Sequence, residues 1–185
     1  KVAVYQANNF RGKSPEESIE GIKRQVAETG AKAVKFKVGG RMDNPEKPPG
    51  RSEKLIPLVR QTFGDEMTIY ADSNGSYDVQ EAIRIGRIME AYKFDFYEEP
   101  CPFDWLEETK AVADALSIPI AGGEQTHSMY QFRWLIANDA LQVVQPDMFY
   151  FGGMIRSMRV ARMAEAKGLQ CVPHISGSGL GYLYM

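Results

Sequence analysis

Cysteine is scarce in this 185-residue chain: Cys101 and Cys171 are the only two. They show neither a disulfide framework nor a metal-ligand spacing, so reduced thiols are expected. A surplus of one charge is missing too. The net charge of −2 offers no general attraction to nucleic acid or anionic membranes. No apolar run approaches the roughly 20 residues that span a bilayer, and no stretch resembles a secretory leader. These absences predict a cytoplasmic protein with neither a nucleic-acid nor a membrane partner. No Ser/Gly linker or low-complexity tract divides the chain. What is present is ordinary for a globular protein, 44% hydrophobic and 25% charged residues, enough for one sizeable core.

The pattern along the chain is a repeated strand-then-helix unit. Strands are predicted at Val2–Tyr5, Ala33–Val38, Met67–Ala71, Phe94–Tyr97, Ile118–Ala121, Leu141–Val144 and Leu169–Val172. The first helix opens at Ser14-Pro15-Glu16-Glu17, with Ser at the cap, Pro at the first helical position and Glu three residues after the cap. Further helices are predicted over Ser52–Phe63, from Asp78 with Glu81 completing a second capping box, and over Trp105–Leu116, Ser128–Ala137 and Gly153–Lys167. Alternating strands and helices imply a parallel sheet with right-handed crossovers. The fold class expected is α/β, a (β/α)8 TIM-type barrel truncated to about seven strands. A doubly wound open sheet is the other possibility. Both ends fall within strand-like or apolar runs, so residues 1–185 are expected to be one incomplete domain of a longer chain.

In such a barrel the site lies at the C-terminal ends of the strands, and each strand from the second onward ends in an ionisable group. Asp72, Glu98 and Glu124 are spaced 26 residues apart, one repeat each. Three acids at one rim repel one another unless a cation sits between them. Ligation by oxygen alone favours a hard ion, and Mg2+ is expected. Single acids of this kind also serve as helix caps or lie in solvent. In Lys35-Phe36-Lys37 both lysines share one strand face, turned over the barrel mouth if Val34, Phe36 and Val38 pack on helices. Two lysines close to each other and to a cation favour a neutral amine, the form that acts as a base. His174 and Asp147 end neighbouring strands, an arrangement in which the acid fixes the imidazole tautomer. A structural histidine is the plainer alternative. The stretch from Gly39 to Arg51 follows the second strand, and Arg41 within it either meets an anionic substrate or belongs to a plain surface loop.

Taken in order, Lys35-Phe36-Lys37, Asp72-Ser73-Asn74, Glu98-Glu99-Pro100, Gly122-Gly123-Glu124-Gln125, Gln145-Pro146-Asp147 and Pro173-His174 resemble the enolase superfamily, and within it the mandelate racemase subgroup. Lysine or histidine bases working beside Mg2+ are already known for that superfamily. The resemblance implies that Asp72, Glu98 (rather than Glu99) and Glu124 hold Mg2+. It makes Lys37 the base on one substrate face with Lys35 beside it, and His174, oriented by Asp147, the group on the other. Asn74 is similar to an asparagine that contacts substrate. Relatives also carry an N-terminal α+β capping domain and an eighth strand, both expected to be absent from these residues. They are usually oligomeric, which implies a homo-oligomer.

The reaction implied is removal of the α-proton of a carboxylate substrate through an enediolate. A sugar-acid dehydratase giving a 2-keto-3-deoxy acid is expected first, and a racemase or epimerase of a 2-hydroxy acid second. Cycloisomerisation fits less well, because lactonising relatives place a lysine where Asp147 and His174 stand. Two readings from other classes remain: a phosphate-binding barrel using Ser176-Gly177-Ser178-Gly179-Leu180-Gly181, and a non-catalytic descendant.

Overall fold

The computed structural model describes residues 4–176. Seven strands and six helices alternate along it: β1 (Gln6–Ala7), α1 (Pro15–Thr29), β2 (Ala33–Lys37), α2 (Arg51–Phe63), β3 (Thr68–Asp72), α3 (Val79–Ala91), β4 (Phe96–Glu98), α4 (Leu106–Ala115), β5 (Ile120–Gly122), α5 (Met129–Ala137), β6 (Val143–Val144), α6 (Met154–Lys167) and β7 (Gln170–Cys171). Every neighbouring pair is parallel, and the sheet order follows the chain from β1 to β7. A doubly wound sheet reverses its order at a switch point. This sheet has no such reversal; it curls as part of a barrel.

Local chemistry sets several of the boundaries. Ser14 Oγ accepts from Glu17 N–H at 3.1 Å and Glu17 accepts from Ser14 N–H at 2.9 Å, the reciprocal box that satisfies two free donors of α1. The second box is only half formed. Asp78 accepts from Glu81 N–H, but the Glu81 carboxylate turns to Arg84 and not back to the cap. An arginine three residues on is a charged, two-pronged donor, and it outcompetes one backbone N–H.

The first strand corrects the sequence prediction. Pairing occurs at Gln6–Ala7, opposite Val34 and Lys35, and not over Val2–Tyr5. Val4 is 82% exposed, and Val2 and Ala3 lie outside the described residues. β-Propensity marked the apolar run, whereas the ladder forms where β2 offers partners. Several other strands also begin one or two residues later than predicted, and β3 and β4 each end one residue later, which makes Asp72 and Glu98 their last residues.

The core has two layers. Outside the sheet, Val34, Phe36, Val38, Ile69, Ala71 and Ile120 pack against helical stripes such as Leu55, Ile56 and Val59 of α2 and Ala82, Ile85 and Met89 of α3. That burial turns Lys35 and Lys37 to the inner face. Inside the curl, Phe96, Ala121 and Val143 form a smaller apolar cluster with Tyr70 and Val172. Tyr70 stacks on Phe96 at 3.9 Å between centroids, and Tyr5 meets Tyr70 edge-on at 5.3 Å. This plug underlies the polar rim.

Candidate active site and metal centre

Register assembles the rim. Lys37 is paired with Asp72 and Asp72 with Glu98 across β2, β3 and β4. Glu124 follows β5, and an isolated parallel bridge joins Asp147 to His174 beyond β6 and β7. One carboxylate oxygen from each of Asp72, Glu98 and Glu124 lies within 4.8 Å of the others, and all three side chains are buried.

The lysines and acids interlock. Lys35 Nζ donates to both oxygens of Glu98, at 2.6 and 2.7 Å, and stands 3.7 Å from Asp72. Its ammonium also faces the Tyr5 ring at 5.2 Å. Lys37 Nζ donates to Asp72 Oδ2 and, at 2.9 Å, to Asn74 Oδ1. Gln145 Nε2 donates to Glu98 Oε2 at 2.8 Å, and Asn74 Nδ2 to Glu124 Oε1 at 3.1 Å.

Burial and neighbours push the titrations apart. For Asp72 burial works upward, but Lys37 and Lys35 outweigh it and hold the carboxyl at about 2. Burial lifts Glu98 to about 8; Lys35 pulls against this, and the Asp72 and Glu124 charges add to it. Glu124 is raised by burial and by Asp72. Burial disfavours the charged form of Lys35, yet Glu98 and Asp72 carry its pKa well above the usual lysine range. Around Lys35 two nearby buried acids thus outweigh the neighbouring lysine; the lowered pKa expected from the sequence was for lysines beside a bound cation.

Three crowded carboxylates, two of them with raised pKa, suit a hard divalent cation. Glu124 Oε2 is buried with no hydrogen-bond donor, an orphaned acceptor that such an ion would satisfy. His174 Nε2 lies 3.2 Å from that oxygen. His174 Nδ1 is 2.7 Å from Asp147 Oδ2, which Ser176 Oγ also meets at 2.7 Å, while Asp147 Oδ1 takes the backbone N–H groups of Phe149 and Tyr150. Burial raises Asp147, but these donors outweigh it and keep its pKa below the ordinary value. Asp147 beside Nδ1 orients the imidazole so that Nε2 faces the rim and Glu124.

An open cleft of about 600 Å3 adjoins the carboxylates, lined in part by Lys37, Asn74, Glu124, Arg11 and Arg41. All nine residues singled out in the sequence thus lie at this rim or on its cleft.

Arg11 went unnoticed in the sequence. It donates to the carbonyls of Gly39 and Val38 and to Asn74 Oδ1, tying the loop after β1 to the ends of β2 and β3. Asking which charged residues follow β1 would have found it, but the strand was placed too early. Glu99 was also passed over. Buried with φ at +42°, it accepts from Gln125 at 3.0 Å and lies 3.4 Å from Asn74 Nδ2. The glycine-rich stretch from Gly177 to Gly181, on which a phosphate site was considered, lies outside the described residues.

A sequentially ordered parallel barrel sheet with an acid on each of three successive strand ends is the architecture of enolase-type enzymes. The enolase C-terminal domain-like family matches residues 17–185, and the chain belongs to it. It is 27% identical over 184 residues to the arabinonate dehydratase of Saccharolobus solfataricus, covering 99% of this chain and 48% of that one. Over 127 residues it is 32% identical to the D-galactarolactone cycloisomerase of Agrobacterium fabrum, covering 69% of this chain and 34% of that one. A magnesium-complexed mandelate racemase/muconate lactonizing protein from Paracoccus denitrificans superposes with a TM-score of 0.88 at 30% identity, covering 97% of this chain and 49% of that one. The chain spans about half the length of the first of these relatives and a third of the second. No helix among the described residues is long and apolar enough to cross a membrane.

Proposed function

We propose that this chain forms the catalytic barrel of an Mg2+-dependent enzyme that removes the α-proton of a sugar acid and expels the β-hydroxyl, giving a 2-keto-3-deoxy acid. What supports the reading is that Lys37 lies against Asp72 and His174 against Glu124, so that a lysine and a histidine flank one buried carboxylate trio. In strand order they stand on opposite sides of the trio.

Asp72, Glu98 and Glu124 would hold the ion, which when bound neutralises charge developing on the substrate carboxylate. Asn74 Oδ1 aims the Lys37 amine along the cleft, and Lys35 adds positive charge where the enediolate forms. His174, oriented by Asp147, presents Nε2 as the second proton carrier. In the dehydration the α-proton leaves to a base and the β-hydroxyl departs as water after receiving a proton from the other group. The resulting enol then tautomerises to the ketone.

Placement of the two groups on opposite sides also supports a second reading, racemisation or epimerisation of a 2-hydroxy acid, in which one group removes the proton and the other returns it. Proton NMR in D2O with Mg2+, the full-length protein and a panel of sugar acids separates the two. A new 3-deoxy methylene signal is expected. Exchange of the α-proton with the carbon skeleton intact would instead favour the second reading, and silence across the panel would remove both.

A further inference from the structure

We propose that the cleft beside the carboxylate trio carries a second anion site, formed by Arg41 and Lys47 of the β2–α2 loop. The preferred substrate then bears a second anionic group, a carboxylate or a phosphate, at the end remote from the reacting carbon. This rests on the sugar-acid reading above and narrows it.

The cleft is lined by Lys37, Asn74 and Glu124 of the rim, where the reacting end of a substrate would lie, and by Arg41 and Lys47 of the loop after β2. Arg11 also lines it, but its guanidinium is committed to the Val38 and Gly39 carbonyls and to Asn74 Oδ1, beside Lys37. Among the described residues Glu124 is the only acidic one of the lining, and it belongs to the trio. Neither Arg41 nor Lys47 is ion-paired with a carboxylate among the described residues. The Arg11 charge is offset by Asp72 more strongly than it is opposed by Arg41, which leaves Arg41 and Lys47 as the uncompensated cations of the lining. Unpaired cations gathered on one concave wall raise each other's energy, and an anion between them relieves it. A guanidinium beside an ammonium meets a planar carboxylate or a phosphate equally well.

The loop carrying Arg41 is fixed in place. Arg41 N–H donates to Ser76 Oγ at 2.7 Å, Met42 N–H to Asn74 O at 2.9 Å and Asp43 N–H to Gly75 O at 3.2 Å. Gly39 has φ at +64°, and a Cβ there would collide with the Ser76 side chain, so the loop lies tight on the turn after β3. Arg41, Met42 and Asp43 all hold left-handed φ values of 73°, 50° and 60°. Side-chain-bearing residues resist that conformation, and it persists where the surroundings enforce it. The enforced bend carries Arg41 to the wall of the cleft.

The test compares kcat/KM of the full-length Mg2+ enzyme on aldonates (one carboxylate), aldarates (two) and 6-phosphoaldonates. One of the two dianionic classes is expected to exceed aldonates by about tenfold or more, and which one it is identifies the second group. Arg41→Gln and Lys47→Gln, both at exposed positions, are each expected to lower the dianion-to-aldonate ratio by about tenfold, chiefly through KM, with Arg41→Lys in between. Equal use of all three classes, or an unchanged ratio in both glutamine variants, would overturn the second site. Turnover of aldonates alone would sink this inference and spare the dehydratase reading. Inactivity on all three classes would sink both.

Discussion

Asn74 accepts the Lys37 ammonium on Oδ1 at 2.9 Å while its backbone holds φ at +46°. The same amide donates from Nδ2 to Glu124 at 3.1 Å, and its backbone N–H donates to Asp72 Oδ1 at 2.8 Å. One residue thus ties a candidate base to two candidate metal ligands, in a conformation that costs most side chains about 1–2 kcal/mol.

Asn74→Gly is therefore the informative deletion, because glycine adopts that φ freely and only the amide is lost. Hydrogen bonds to charged groups are worth about 1.5–3 kcal/mol each. A fall in kcat/KM of roughly 10- to 100-fold is expected, with weaker Mg2+ binding by calorimetry. Unchanged metal affinity would show that Asn74 does not hold Glu124.

His174→Asn should lower turnover by roughly 10²- to 10⁴-fold, the usual contribution of a positioned acid–base group, with little change in fold since the side chain is only partly buried. If His174 and Lys37 serve opposite faces, the variant retains α-proton exchange in D2O with substrates of one configuration at the α-carbon only. Loss of exchange with both configurations would place His174 outside a two-sided arrangement.

Glu98 links pH to metal binding. Its pKa is about 8 in the fold, against 4.5 ordinarily. Between those values the folded chain keeps a proton that the unfolded chain releases, so without metal this group's contribution makes stability fall as pH rises. Mg2+ takes the place of that proton, and its affinity should rise on the order of tenfold per pH unit up to about pH 8. Thermal unfolding with and without Mg2+ at pH 6 and pH 8 checks this: the metal-induced gain in Tm should be larger at pH 8.

Arg51 is 1% exposed and donates to the carbonyls of Lys13, Phe10 and Lys37 and to Ser18 Oγ. Lysine cannot reproduce that fork. Arg51→Lys leaves buried carbonyls unpaired and should destabilise the fold by about 3 kcal/mol, measured by urea unfolding. Because one of those carbonyls belongs to Lys37, kcat should fall as well at temperatures where the variant remains folded.

Much of this site was legible because strand side chains alternate and barrel strands deliver their last residues to one rim. Lys35 and Lys37 follow from the apolar character of Val34, Phe36 and Val38, and the acids from their even spacing. The role of Arg11 was not legible, since a single arginine in a loop has no period and its partners are carbonyls 27 or more residues away in sequence. The β1 boundary was lost because two paired residues leave too weak a pattern. The contact of Lys35 with Glu98 was not legible, because adjacency in sequence exposes the neighbouring lysine alone.

The six groups from Lys37 to His174 arrive one per repeat, on or just after β2, β3, β4, β5, β6 and β7. During synthesis Lys37 emerges well before His174, with the three acids between them. The candidate centre is therefore a property of the finished register alone. A half-made or locally unfolded chain holds its parts without their geometry.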